Sequence, residues 1–379
     1  MIQLFILGMA VSYGSLILYY RHGWSMLPEC SKDPPRQVPV TRVSVVIPTR
    51  NEEHNILACL QAIIDQHYPV ELFEVLVVND HSTDRTADLV RSFPAENIHL
   101  VNLSEHIPAG KALNAYKKKA IETAISLSRG DLIITTDADC VMGREWMSNM
   151  VDCYEREKCR FIAGPVAFHQ EDNLFKCLQS LDFVSLQGMT GAIIGLGTGA
   201  VCNGANLAYE KKAFQELGGF SGIDHLASGD DTLLMHKMQL AFPGSVLFLK
   251  CPAAIVSTLP LKGFNEFFQQ RIRWSSKIGR LDDHRMLAML IFMYCWNLLF
   301  PALAVIAAYH PDTWFWLAAL LLYKAIIEWV FLVPVARFFG KLRMLWLLFP
   351  AQFLHIPYIL LSVFLGKVKT YQWKGRRVS

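Results

Sequence analysis

Residues 42–84 read RVSVVIPTRNEEHNILACLQAIIDQHYPVELFEVLVVNDHSTD, and the alternation within this stretch decides the fold class. Arg42–Pro48 and Glu74–Val78 are short β-branched apolar runs, and their unbroken hydrophobicity suits strands buried on both faces. Between them, Glu52–Gln66 carries apolar residues at helical spacing. The alternation continues with a helix expected over Thr83–Ser92, a strand over Ile98–Val101, a helix over Lys111–Ser128 and a strand over Asp131–Thr136. Such a pattern predicts an α/β domain on a mostly parallel sheet with right-handed crossovers. Ligands on these sheets bind beyond the carboxyl ends of the strands, so the residues just after each strand are the candidates for chemistry.

Three of those strand ends are polar. Pro48-Thr49-Arg50-Asn51-Glu52 follows the first strand, Asn79-Asp80-His81-Ser82-Thr83-Asp84 the second, and Asp137-Ala138-Asp139 the fourth. Each has a plain structural explanation: Ser82 or Thr83 can cap a helix, Asp80 can sit in a turn, and an Asp-X-Asp triplet arises by chance about once in a chain this long. Their convergence on one crevice is what carries weight. Two carboxylates one residue apart can share Mg2+ or Mn2+, hard cations that also bind substrate phosphates. No GxGxxG follows the first strand and no GxxxxGK[ST] occurs, which excludes a dinucleotide fingerprint and a P-loop. Gly110-Lys111 opens a helix where an ammonium can meet an anion, or where Lys111 is a solvated first-turn residue. Ser228-Gly229-Asp230-Asp231 precedes a helical pattern over Thr232–Leu240, where paired Asp ordinarily caps the helix.

Composition points toward lipid. Of 379 residues, 53% are hydrophobic and only 18% charged, which excludes a disordered chain, and a net charge of +3 gives no basis for a nucleic-acid partner. Nine Cys without a CxxC suit a reducing compartment. Met1–Tyr20 lacks charge and is followed by Arg21, Lys32, Arg36 and Arg42, so an anchor helix with its N-terminus outside is expected, with a buried core helix as the alternative. Met286–Tyr309 and Thr313–Ala336 form a second apolar pair around His310-Pro311-Asp312. Inside it Lys324 and Glu328 are either a functional site or a mutually neutralised pair. Met344–Leu365 is uncharged but holds Pro350 and Pro357, and a simple span would carry Lys367, Lys369, Lys374, Arg376 and Arg377 outside. A re-entrant or broken hairpin is therefore expected there.

The expected layout is an anchor over 1–20, a cytoplasmic α/β domain over 21–257, an amphipathic interfacial segment over 258–285, a membrane region over 286–365 and a basic tail over 366–379. Leu174–Met189 reads as an amphipathic stretch lying on the cytoplasmic leaflet. Gln269-Gln270-Arg271-Ile272-Arg273-Trp274 precedes the membrane region, where Arg can also contact lipid phosphate.

The ordered set Asp80, Asp137/Asp139, Asp231 and Gln270/Arg273/Trp274 resembles that of membrane-bound family 2 glycosyltransferases, the group of cellulose, hyaluronan and poly-N-acetylglucosamine synthases and ceramide glucosyltransferases. Cys202–Phe220 (CNGANLAYEKKAFQELGGF) resembles the acceptor-side region of that family. Asn79-Asp80 stands where the family often has Asp-Asp, and Gly229-Asp230-Asp231 where it often has Glu-Asp; both keep the second Asp.

The resemblance implies a GT-A fold in the inner or plasma membrane, an inverting transfer from a UDP-sugar, and Mg2+ or Mn2+. It implies donor contacts from Pro48, Thr49, Asn51, Glu52, Asn79, Asp80, Lys111, Asp137, Gln270, Arg273 and Trp274, and a metal at Asp139 and Asp137. Asp231, with Asp230 beside it, would be the catalytic base, and Asn203, Gly204, Asn206 and Trp274 would line the acceptor side. Few membrane helices favour a lipid acceptor over a growing glycan. Two other classes compete: a cation-dependent nucleotidyltransferase, for which Pro48–Glu52 lacks a Gly/Arg/Lys-rich loop, and a non-catalytic membrane scaffold, against which the intact acidic set argues.

Overall fold

The computed structural model describes residues 2–30, 39–107, 114–199, 201–226, 228–275, 284–368, 371–373 and 376–378. Helix α1 (Ile2–Met26) ends at Met26 rather than the expected Tyr20. The first four strands appear with small shifts at their ends: β1 (Val43–Thr49), β2 (Phe73–Asn79), β3 (Ile98–Asn102) and β4 (Leu132–Thr135). They are linked through α2 (Ile56–Ile64), α3 (Thr86–Arg91) and α4 (Tyr116–Leu127), each shorter than its apolar pattern. The beginning of the expected helix, with Gly110 and Lys111, lies outside the described residues.

Beyond β4 the elements are short: β5 (Val141–Met142), α5 (Trp146–Glu157), β6 (Phe161–Ala163) and β7 (Val166–Phe168). Then follow α6 (Leu174–Leu196), β8 (Leu207–Glu210), α7 (Lys211–Glu216), α8 (Thr232–Ala241), β9 (Val246–Phe248) and β10 (Val256–Thr258). The main sheet has the order β3-β2-β1-β4-β8-β6-β9. Its first four strands are parallel, as the alternation predicts, but β8 runs antiparallel to both β4 and β6. A second sheet joins β5, β10 and β7.

Local chemistry sets the register of the first strands. Ser44 is buried; its hydroxyl donates to Glu74 Oε1 at 2.6 Å and accepts from the Gly130 amide at 2.8 Å. A Cβ at Gly130 would lie 2.5 Å from the Ser44 nitrogen, so only glycine permits this approach. The resulting alignment pairs Thr49 with Asn79 and Val46 with Thr135, which brings the polar ends of β1, β2 and β4 to one edge.

The chain divides into two compact units, one of 27–169, 200–259 and 374–379, the other of 1–26, 170–199 and 260–373. Helix α6 belongs to the second, so the α/β domain expected over 21–257 is interrupted. The leaflet-bound reading of α6 also gives way, because buried residues occur on several of its faces, Gln179, Ser180, Leu181 and Ile193 among them. The second unit also holds α9 (Phe264–Ser275), α10 (His284–Tyr309), α11 (Thr313–Phe338) and α12 (Leu348–Val368). Among the described residues four stretches are long and apolar enough to cross a membrane: Gln3–Met26, His284–Tyr309, Thr313–Phe338 and Leu342–Gly366.

The last of these corrects the expected hairpin, since α12 continues through both prolines. Pro350 lies in the first turn, where backbone N–H groups lack intrahelical partners anyway, and Pro357 removes one hydrogen bond without reversing the chain. The intramembrane pair is fully engaged. Lys324 Nζ donates to Glu328 Oε1 at 2.6 Å and to Gln352 Oε1 at 2.5 Å, while Tyr13 and Gln352 donate to Glu328. The network ties α1, α11 and α12 together, which favours neutralisation over a functional site.

Candidate active site

The crevice at the carboxyl edge of β1 and β2 is built from interlocked turns. The Asp80 amide donates to the Thr49 carbonyl at 2.8 Å, and Arg50 Nη1 donates to the carbonyls of Asp80 and His81 at 2.9 and 3.1 Å. Asn51 Oδ1 accepts from the Thr83 amide at 2.8 Å, and Asn79 Oδ1 from the Ser82 amide at 3.0 Å. Asn51 and His81 both adopt left-handed backbone, at φ 52° and 53°. Asp80 is 3% exposed, with His81 Nδ1 2.9 Å from its Oδ1. The Thr49 hydroxyl, expected among the donor contacts, is buried and donates to the Ile47 carbonyl at 3.1 Å. Asp84, not Ser82 or Thr83, organises the start of α3. Burial would push its carboxyl up, but hydrogen bonds from the Thr86 hydroxyl and amide and the Glu53 amide hold it below the usual carboxylate range.

Asp137 and Asp139 follow β4. Asp139 Oδ2 accepts from Thr258 Oγ1 of β10 at 3.1 Å. Burial, then the charges of Asp137 and Glu52, push the Asp139 carboxyl above its ordinary value. A carboxyl that resists ionisation beside the charges of two others is a group whose charge a divalent cation would satisfy. The thiols nearby do not make it a soft site, because burial and the same carboxylates push Cys59 and Cys140 well up and keep them protonated. Among the described residues no three His, Cys, Asp or Glu side chains are arranged as a complete metal cage. Two carboxylates completed by phosphate oxygens and water match the habit of Mg2+ and Mn2+.

Lys117, on α4, joins the two acidic motifs: its ammonium lies 2.7 Å from Asp137 Oδ1 and 3.3 Å from Asp230 Oδ2. Burial acts to lower its pKa, yet Asp137 and then Asp230 outweigh that and hold it above the ordinary lysine value. Asp231 is the N-cap of α8, its Oδ1 accepting from the Thr232 amide at 2.7 Å. Gly204 lies against the same group; a Cβ there would come within 3.4 Å of Asp230 Oδ2 and 3.5 Å of Lys117 Nζ. Asn203 shapes this turn by accepting from the Ala205 amide at 3.0 Å.

Asn206 does not face the crevice. It is fully buried, accepts from Trp146 Nε1 and donates to the carbonyls of Pro165 and Ala254, so its amide crosslinks the core. Gln270, Arg273 and Trp274 lie on α9, in the helical unit. There Arg271, between them in sequence, pairs with Asp182 at 2.6 Å and stacks over Phe267 and Trp274.

Lys117 and Lys118 were not among the expected site residues. Lys118 is 2% exposed and donates to the carbonyls of Ile223 and Leu226 at 2.6 and 2.8 Å, pinning the loop that leads to Asp230. A sequence signal exists for both: Ala120, Ile121, Ala124 and Ile125 define a buried helix stripe that extends back onto them.

Comparison with known proteins matches this arrangement to a family. The pattern described as Glycosyl transferase family 2 matches residues 44–218, and that described as Glycosyl transferase family group 2 matches 132–359. The chain is 28% identical over 239 residues to the probable glycosyltransferase YdaM of Bacillus subtilis, covering 62% of this chain and 54% of that one. It is 29% identical over 231 residues to the glycosyltransferase AglE of Haloferax volcanii, covering 61% and 71%. The chain thus spans about half to seven-tenths of the length of these relatives. A mannosyltransferase of Pyrobaculum calidifontis, solved in complex with GDP-Man and Mn2+, superposes with a TM-score of 0.58 at 21% identity over 93% of this chain and 99% of that one, and so shares the fold. The chain belongs to glycosyl transferase family group 2 and carries the GT-A fold.

Proposed function

We propose that the chain transfers a sugar from a UDP-sugar to a membrane-associated acceptor, a lipid rather than a growing glycan, with inversion at the anomeric carbon. The observation that carries this reading is the Lys117 bridge, which joins Asp137 of one acidic motif to Asp230 of the other. Donor diphosphate and acceptor hydroxyl would then meet in a single volume bounded by β4, α4 and the start of α8.

In this reading Asp80 accepts the imide N–H of the donor base. Asp137 and Asp139 hold Mg2+ or Mn2+, which would supply Lewis-acid stabilisation of the leaving diphosphate. Lys117 adds a fixed positive charge to the same phosphates. The Asp231 carboxylate takes the proton from the acceptor hydroxyl as its oxygen forms a bond to the anomeric carbon, while the bond to the diphosphate oxygen breaks and UDP leaves with the electron pair. General-base help of this kind typically supplies about 10²–10⁴-fold. Donor and acceptor contacts from Gln270, Arg273 and Trp274 are assigned by the family resemblance alone. A lipid acceptor and a catalytic unit on the cytoplasmic face are supported by the four apolar stretches and by the basic residues that follow the first of them.

The test is UDP release by the full-length protein in detergent, with a panel of nucleotide sugars and membrane lipids, followed by sizing of the labelled product. One sugar per lipid is expected; a long polymer would replace the acceptor assignment. Asp231→Asn should abolish transfer and leave UDP affinity nearly unchanged, because asparagine caps a helix as well as aspartate does. Normal turnover by that variant would move the base elsewhere, with Asp230→Asn the next variant to assay.

A further inference from the structure

His81 follows Asp80 at the end of β2 in a backbone region few residues other than glycine adopt, φ 53°. Arg50 holds the turn through the Asp80 and His81 carbonyls. The imidazole meets Tyr116 of α4 edge-on, with ring centroids 5.8 Å apart and planes at 90°. Held in this way, Nδ1 lies 2.9 Å from Asp80 Oδ1, and because a carboxylate only accepts, Nδ1 carries the proton. Strained backbone, a ring contact and a hydrogen bond thus fix one imidazole on one oxygen of a nearly buried carboxylate.

We propose that His81 is a specificity-determining residue that makes the base site select uracil over guanine, an inference that rests on the assignment of Asp80 to the donor base. An acceptor-only carboxylate needs an N–H on the pyrimidine edge. Uracil N3–H and guanine N1–H provide one, whereas cytosine and adenine present a bare ring nitrogen there. Asp80 alone would accept guanine at least as well as uracil, since guanine can place N1–H on one oxygen and its amino group on the other, while uracil uses a single N–H. With His81 engaged on Oδ1, the two-point guanine contact loses its geometry and the one-point uracil contact does not. The fold leaves this choice open, since the Pyrobaculum calidifontis neighbour was solved with GDP-Man.

Calorimetric titration of the full-length protein in detergent with UDP, GDP and CDP, each with Mn2+, tests this in the parent, His81→Gly and Asp80→Asn. Glycine takes φ 53° without strain, so the turn survives the first substitution. The parent should bind UDP about tenfold more tightly than GDP, the scale of one hydrogen bond to a charged group. His81→Gly should bring the two within about threefold, by a gain in GDP affinity, with CDP weak throughout. Equal UDP and GDP affinity in the parent, or an unchanged ratio in His81→Gly, overturns the role of His81 and leaves the donor reading standing. No UDP binding in the parent, or undiminished UDP binding in Asp80→Asn, overturns the Asp80 assignment and the inference with it.

Discussion

Replacing Lys117 by methionine keeps the apolar stem of the side chain and removes its charge. In the parent the ammonium sits 2.7 Å from Asp137 and 3.3 Å from Asp230. At those separations the gross attraction is about 6 and 5 kcal/mol at an effective dielectric near 20, and about 1.5 and 1.3 kcal/mol in bulk water. The Lys117 side chain is 22% exposed and its two partners 35% and 10%, so the effect lies between these limits and desolvation offsets part of it. A net loss of about 2–3 kcal/mol in folding stability is expected. Ligand affinities should move in opposite directions. The uncompensated carboxylates should bind Mn2+ alone about tenfold more tightly, while UDP with Mn2+ should bind about tenfold more weakly for want of the ammonium. Chemical denaturation and titration calorimetry of the full-length protein read all three quantities. Parental values throughout would mean that Lys117 has no electrostatic share in the site, and weaker Mn2+ binding would remove the cation from this cluster.

Asp139 and Asp84 should respond to pH with opposite signs. Burial and then the neighbouring carboxylates raise the folded-state pKa of Asp139, so its ionised form opposes folding at neutral pH and the opposition fades on acidification. Asp139→Asn should accordingly be more stable than the parent at neutral pH without cation, a gap that closes at low pH, while losing Mn2+-dependent UDP binding by calorimetry. For Asp84 the hydrogen bonds win over burial and the folded pKa is lowered, so its contribution is present above the unfolded value and lost as pH falls through the folded one. Asp84→Asn should destabilise by about 1 kcal/mol at neutral pH and negligibly in acid, as denaturation midpoints at the two pH values will show. Lys324→Met leaves Glu328 buried without its cation and should destabilise by about 3–5 kcal/mol, whereas Lys324→Met combined with Glu328→Met should be milder; a double-mutant cycle in micelles checks this.

Where local pattern carried the information, the reading and the structure agree closely. The buried runs Val43–Thr49 and Phe73–Asn79 are recognisable because strands covered on both faces must be apolar throughout, and the four membrane-length segments because lipid tolerates little else. The reading failed where a distant partner overrode local composition. The basic residues from Lys367 onward suggested that the chain turns back, but helix geometry carries α12 through Pro350 and Pro357. Lys118 was not singled out in the sequence, and it is buried where carbonyls far along the chain receive it. Asn206 stands in an acceptor-like motif, yet Trp146, Pro165 and Ala254 claim its amide.

The amino-acid order by itself determined the α/β class, the membrane-length helices and the candidate acids at the strand ends, since each follows from periodicity, length or residue type over a few turns of chain. Only the tertiary structure decided that β8 reverses direction in the sheet, that Lys117 joins Asp137 to Asp230, and that His81 engages one oxygen of Asp80. Those are facts about which donor meets which acceptor, and a carboxylate looks the same in sequence whether it caps a helix, pairs with an ammonium or faces a ligand.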